Sequence, residues 1–124
     1  MTTKKSPAAL DFDSWDAAAE EAAIQAAADA TAIRYIIIEQ DFAGRFPDGT
    51  MIRTPIRVSA ELIDRVSELS GDADPRQQLE ALLDVLGHDD DLTYLRSADL
   101  LSTVDYAEKY FKVFEKVMGV ALGE

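Results

Sequence analysis

The sequence predicts an α+β fold, mainly helical, in which an N-terminal β-hairpin precedes a small antiparallel bundle of about four helices. Residues 33–58 are rich in β-branched and aromatic residues and contain Pro47-Asp48-Gly49, a strong turn signal. From residue 59 onward, apolar residues recur at helical spacing. The 124 residues suit one domain of ordinary size.

Residues 1–32 differ in composition from the rest of the chain. They are rich in alanine and acidic residues, and their large apolar side chains after Met1 are Leu10, Phe12, Trp15 and Ile24. Alanine favours helix, but so few large side chains cannot dock a helix firmly. We therefore expect an acidic arm over 1–32, mobile or partly helical, and a single domain over 33–124. An idle tail and an arm that docks on a partner both fit this composition.

The hairpin is predicted over residues 33–58. Its first strand lies in "IRYIIIEQDF", with Ile36 and Ile38 on one face, and its second in "TMIRTPIRV". Pro55 has no N–H to donate, which places that end of the second strand at an edge or beyond the pairing. A lone hairpin is marginal in water, so it must pack on the helices or pair with other strands.

The helices are predicted over residues 59–124 from their end signals. The first follows the cap Ser59 and stops at Gly71, and the second follows Asp74 and stops at Gly87. A short element begins in "DDDLTYL", with Asp90 or Asp91 as its cap. The longest helix covers 97–119, where Gly119 is expected to interrupt it before an apolar tag, Val120-Ala121-Leu122.

An aromatic stripe marks the longest helix. Tyr106, Tyr110, Phe111 and Phe114 lie at helical spacing, and Met118 continues the apolar pattern. Core packing is one interpretation, and contact with a protein partner is the other, because Tyr and Phe are enriched at interface anchors. The candidate partner-binding residues are therefore Tyr106, Tyr110, Phe111, Phe114 and Met118, together with Ile36 and Ile38 of the hairpin.

The charge balance excludes some partners. With 24 acidic and 12 basic residues the formal net charge is −12, which repels nucleic acid and anionic membranes and can steer a basic protein. The chain has no cysteine and no apolar run of membrane-spanning length. We expect a cytoplasmic protein with neither nucleic acid nor membrane as a partner.

No motif predicts catalysis, a cofactor or a metal. His88 is the only histidine, and it follows Gly87 at a helix end. The aspartates at 89–91 lack the alternating ligands, central glycine and terminal glutamate of a calcium loop. Phosphate-binding glycine loops and the nucleophile-elbow pattern are both missing. The sequence therefore predicts a protein that is not an enzyme.

The order of these parts resembles a known family. A hairpin with Asp-Gly at its turn, the helices "VSAELIDRVSEL" and "DPRQQLEALLDVLG", an Asp-rich break and a last helix ending in "GVALGE" are similar to the tail assembly chaperones of long-tailed, siphovirus-type phages, especially those of actinobacteria. The resemblance covers about residues 33–124, and its most telling part is the "GVALGE" ending.

The resemblance implies a function in virion assembly. Members of this family bind the tape measure protein in the host cytoplasm, keep it soluble, help to recruit tail tube subunits and are absent from the mature virion. They use no cofactor. Many are extended by a programmed ribosomal frameshift, and Gly123-Glu124 can be encoded by a slippery run of G and A. Under this hypothesis Glu124 lies near the frameshift junction rather than at a natural C-terminus.

Two other classes remain open. A small acidic adaptor or antitoxin-like module would neutralise a basic partner, and a structural tail component would stay in purified particles. A free strand edge of the hairpin could also pair between copies and build a homo-oligomer.

Overall fold

The computed structural model describes residues 10–123 of the chain. The chain divides into two compact units, Met1–Ala30 and Thr31–Glu124. Within the described part of the arm, helix α1 spans Ala17–Thr31, and none of its residues is buried. Alanine propensity accounts for this helix, because the segment has almost no large apolar side chains to bury.

The second unit is α+β and mainly helical, as predicted. Its elements follow one another in the order β1 (Arg34–Ile38), β2 (Asp41–Arg45), β3 (Met51–Pro55), α2 (Ala60–Ser70), α3 (Pro75–Leu86), α4 (Asp89–Ser97) and α5 (Leu100–Ala121). With α1, the described residues contain five helices rather than about four.

The β region is a three-stranded antiparallel sheet, so the prediction of a two-stranded hairpin is wrong. The strand order is β1-β2-β3, and β2 begins directly after a two-residue turn at Glu39-Gln40. Both turn residues have positive φ, 52° and 71°, as the tight hairpin turn requires. Asn-Gly is the usual sequence of such a turn, and therefore Glu-Gln gave no turn signal.

The predicted caps of α2 and α3 are confirmed. The Ser59 side chain accepts a hydrogen bond from the Leu62 N–H. Asp74 and Gln77 form a reciprocal capping box around Pro75, and Gly87 ends α3 in the left-handed conformation. These signals are local, which is why the sequence alone located both helices closely.

Two predicted helix ends differ in the structure. Helix α4 begins at Asp89 and its N-cap residue is His88, so the expectation that Asp90 or Asp91 caps it is wrong. The aspartates at 89–91 occupy its first turn instead, where carboxylates interact favourably with the helix dipole. Helix α5 is capped by Asp99 and passes through Gly119 to Ala121. One glycine lowers helix propensity by only about 1 kcal/mol, which the rest of a long helix easily offsets.

The hydrophobic core lies in the second unit, and among residues 10–123 the buried apolar side chains belong to positions from Ile33 onward. It joins Phe42 and Ile52 of the sheet to the leucines of α3 and to the inner face of α5. Helix α3 packs against α2, α4 and α5, and α5 packs against β2.

Within residues 10–123, no helix combines the length and the apolar composition needed to cross a membrane.

Candidate interaction surfaces

The close packing of α5 on the sheet depends on Gly44. A Cβ atom at this position would lie 2.8 Å from Tyr106 Cδ2 and still closer to Cε2. The Tyr106 ring is held at right angles to Phe42, 5.0 Å away, and stacks on Phe46 at 5.5 Å. Tyr106 of α5 therefore fills the space that a side chain at Gly44 would need.

The hydroxyl groups of these tyrosines are hydrogen-bonded. Tyr106 Oη lies 2.7 Å from Thr54 Oγ1 and donates to the Ile52 carbonyl at 3.2 Å, while Tyr110 Oη donates to the Pro55 carbonyl at 2.6 Å. Burial raises the pKa of both phenols well above the ordinary value, so they stay protonated and can donate. The hydrogen bonds of the two tyrosine hydroxyl groups thus hold α5 against β3.

The structure corrects the expectation for Tyr106 and Tyr110 as partner-binding residues. The two residues are 0% and 1% exposed and belong to the core. For this part of the stripe, core packing is therefore the interpretation that fits the structure. Tyr106 faces the sheet at Gly44, which leaves room for its ring. Sequence spacing alone could not separate them from the more peripheral aromatics of the same helix.

The aromatic stripe changes character toward the end of α5. Phe111 and Phe114 are partly buried at the margin of the core, where their rings pack on Tyr110 at 5.0 and 6.3 Å. Met118 is 47% exposed. The three residues are spaced i, i+3 and i+7, so they lie on one face of the helix. We call Phe111, Phe114 and Met118, with the exposed Leu122 beyond them, the distal stripe.

The sheet has one buried face and one open face. Phe42, Gly44, Ile52 and Thr54 are buried toward α5. On the other face, Ile36 of β1 lies opposite Ala43 of β2, and Met51 of β3 lies opposite Arg45 of β2. Ile36, Ile38 and Met51 are 61%, 40% and 72% exposed. The open face is therefore apolar at its centre and bordered by arginines.

Strand β1 is an edge strand whose residues are all exposed. Tyr35 and Ile37 point to the same side as the core residues of β2, yet they remain 41% and 53% exposed. Edge strands commonly carry lysine, proline or a bulge that discourages pairing, and "RYIII" has none of these. The sequence prediction named Ile36 and Ile38 but missed Tyr35 and Ile37, although the unbroken apolar run was a usable signal.

The backbone of β1 leaves two residues unpaired at its edge. Ile38 and Asp41 flank a two-residue turn and form a hydrogen-bonded pair, and alternation then directs the N–H and C=O groups of Ile36 and Arg34 toward β2. The same groups of Tyr35 and Ile37 point away from the sheet. Along residues 10–123, no strand pairs with this side of β1.

The start of the edge is closed by α5. The Ile33 N–H donates to Asp105 Oδ2 at 2.9 Å, and Lys109 Nζ donates to the Ile33 carbonyl at 3.2 Å. Lys109 also pairs with Asp105 at 2.8 Å, and Ser102 Oγ donates to the Thr31 carbonyl at 2.7 Å. We call the groups at Ser102, Asp105 and Lys109 the α5 clamp.

The other end of β1 is closed by its turn. Arg53 pairs with Glu39 at 3.2 Å and with Asp41 at 2.9 Å, and Arg57 donates to the Gln40 side chain at 3.0 Å. These contacts hold two non-glycine residues in the left-handed region. The open edge is thus limited to Tyr35 and Ile37.

No described residues form a metal-binding cluster: across 10–123 there is no group of three or more His, Cys, Asp and Glu side chains with suitable positions. His88 Nδ1 is buried without a hydrogen-bond partner and lies 3.7 Å from Asp91 Oδ2. The described part of the chain therefore offers apolar surfaces and an unpaired strand edge as its main candidate sites.

Comparisons with known proteins found no relatives. No protein-family model matches the chain, and no curated protein and no solved structure is significantly similar to it.

Proposed function

We propose that this chain is a tail assembly chaperone of the type found in long-tailed phages. It binds the tape measure protein in the host cytoplasm, keeps it soluble, helps to recruit tail tube subunits and leaves before the virion is complete. It catalyses no reaction and uses no cofactor. The observation that carries the proposal is the distal stripe, an apolar helix face that extends beyond the core of a strongly acidic chain.

The distal stripe suits a helical client. An apolar face with i, i+3 and i+7 spacing packs into the groove of another helix, and a largely helical tape measure protein exposes such faces before assembly. Val117 is 40% exposed and Leu122 is 69% exposed, so the apolar surface extends past Met118. A client helix lying along this end of α5 would cover these side chains.

The stripe also suits reversible binding. Phe111 and Phe114 already bury part of their surface against Tyr110, so a client removes only the remainder from water. Full burial of one such side chain contributes roughly 1.5–3 kcal/mol, and partial burial contributes less. A few contacts of this size give moderate affinity, which a chaperone needs because it must release its client.

The net charge supports the same function. Bound copies with a formal charge of −12 each would surround an apolar client with an acidic surface. Strong net charge keeps complexes soluble by mutual repulsion. The acidic surface and the apolar stripe thus have separate tasks, solubility and binding.

Co-expression with the client tests the proposal. We expect the tape measure protein encoded downstream to be soluble and to co-purify only when this chain is present. Met118→Asp should reduce the recovered complex several-fold, because it places a charge in the stripe. Leu69→Asp is the matched control, since Leu69 is 61% exposed on α2 and receives the same charge. Equal client solubility with and without the chain would refute the proposal.

An acidic adaptor or antitoxin-like module is the second candidate, and the net charge favours it. Such a protein binds a basic partner through its charge, so binding should weaken steeply with salt. Binding to the distal stripe should instead depend little on salt. Gene order separates the two as well, because a chaperone gene precedes a very long gene and an antitoxin gene lies beside a short one. A structural tail component would differ from both by remaining in purified particles.

A further inference from the structure

We propose that β1 forms a two-fold homodimer, in which it pairs antiparallel with β1 of a second copy and Ile36 lies opposite Ile36 of that copy. The two sheets would join into one sheet of six strands. This inference does not rest on the proposed function, because it concerns only the chain itself.

The register follows from which backbone groups are free. Only Tyr35 and Ile37 direct N–H and C=O groups outward between the α5 clamp and the Glu39-Gln40 turn. With Ile36 on the two-fold axis, Tyr35 of each copy forms a hydrogen-bonded pair with Ile37 of the other. All free groups of both edges are then satisfied.

The two neighbouring registers leave free backbone groups of the edge without a hydrogen-bond partner. An axis at Tyr35 would pair Ile37 with Ile33 of the second copy, whose N–H and C=O are already bound by Asp105 and Lys109. An axis at Ile37 would pair Tyr35 with Glu39 of the second copy, whose φ of 52° takes it out of the strand. The open edge is therefore complementary to itself in one register.

Charge also favours a second copy as the occupant. The strand begins at Arg34, and the turn that follows Ile38 begins with Glu39. Antiparallel pairing brings Arg34 of one copy beside Ile38 and Glu39 of the other, so opposite charges meet at both ends. No charged residue lies between them, and the centre of the interface is apolar.

The available area predicts a weak dimer. Tyr35, Ile36, Ile37 and Ile38 are 41%, 61%, 53% and 40% exposed. If pairing covered all of this surface, each copy would bury about 400 Å², roughly half of the share of one partner in a standard interface. Repulsion between two chains of charge −12 opposes association, so the dimer should strengthen as salt rises.

Sedimentation measurements on the full chain test the inference. We expect the mass to rise from monomer toward dimer between about 10 and about 500 µM, a range that suits a small interface. Ile36→Lys should keep the chain monomeric, because two like charges would face each other at the axis. Met51→Lys is the matched control, since Met51 lies on the same open face but on β3 and is 72% exposed.

Mixing two variants identifies the axis. Ile36→Glu should also be monomeric alone, whereas an equimolar mixture of Ile36→Lys and Ile36→Glu should dimerise, because opposite charges then lie across the axis. Since the chain has no cysteine, Ile36→Cys should give a disulfide-linked dimer on mild oxidation, and Met51→Cys should not. Ile36 is exposed, so we expect all these variants to fold with little change in melting temperature.

The outcomes decide the matter either way. A concentration-dependent dimer that Ile36→Lys abolishes, that Met51→Lys retains and that the charge-paired mixture restores supports the inference. A chain that stays monomeric at the highest concentration overturns it. It is also overturned by a dimer that persists in Ile36→Lys, because another surface would then mediate association.

Discussion

Replacing Gly44 with alanine should destabilise the fold by overpacking. The new methyl group would lie 2.8 Å from Tyr106 Cδ2 and closer to Cε2. The ring cannot easily withdraw, because Phe42 and Phe46 flank it and its hydroxyl is hydrogen-bonded to β3. Overpacking of a dense core costs about 1–3 kcal/mol, more than the fraction of a kcal/mol that alanine recovers in strand conformation.

We expect Gly44→Ala to lower the free energy of unfolding by about 2 kcal/mol, which corresponds to a fall in melting temperature of roughly 8–16 °C for a unit of this length. Thermal unfolding followed by circular dichroism measures it. In a Tyr106→Leu background the alanine should cost much less, since the ring it meets is gone; this double-mutant cycle isolates the contact. If Gly44→Ala is neutral, or costs the same in both backgrounds, α5 does not pack on β2 as described.

Three further predictions concern the hydrogen bonds of α5. Tyr106→Phe should destabilise by about 1–3 kcal/mol in chemical unfolding, because it removes the partner of the buried Thr54 hydroxyl, and adding Thr54→Val should restore part of the loss. If Thr54→Val restores nothing, this hydrogen bond is not the cause. Asp105→Asn should loosen the α5 clamp and speed hydrogen exchange of the Ile33 amide, while exchange of the Ile52 amide stays unchanged. If the Ile33 amide exchanges at the same rate in the variant and in the unchanged chain, the clamp does not hold this end of β1. The free energy of unfolding should fall as pH rises above about 10. Burial raises the pKa of Tyr106 and Tyr110 in the folded chain, so above this pH the same phenols lose their protons in the unfolded chain but keep them in the folded one, which favours unfolding. Ionisation of the Tyr106 or Tyr110 ring before the chain unfolds, followed ring by ring with NMR, would contradict this last prediction.

Local signals predicted α2 and α3 well. Ser59, Asp74 and Gly87 act within one turn of chain, so their effect is visible in the sequence. The turn at Glu39-Gln40 was missed because distant partners stabilise it: Arg53 and Arg57 bind its side chains from across the sheet. A conformation that depends on tertiary contacts has no local sequence signature.

The candidate surfaces were predicted only in part. Helical spacing placed Tyr106, Tyr110 and Phe114 in one stripe, but it could not show that Gly44 would admit Tyr106 into the core. Strand alternation correctly put Ile36 and Ile38 on one face. It could not show that α5 would leave β1 uncovered, because coverage depends on where the helix docks.

Because β1 is exposed, a charge introduced there should affect self-association more than folding. Ile36 and Ile38 lie on the open face, so Ile36→Asp should leave the fold largely intact and act on assembly instead. We expect near-normal melting together with loss of self-association.

Hydrogen exchange on the complex with the tape measure protein tests the proposed function most directly. The chain is co-expressed with that protein and purified with it, and its exchange is compared with that of the free chain. We predict slower exchange along the end of α5, from Phe111 to Leu122, on binding. Failure to form a complex, or protection that leaves this end of α5 unchanged, would contradict the proposal.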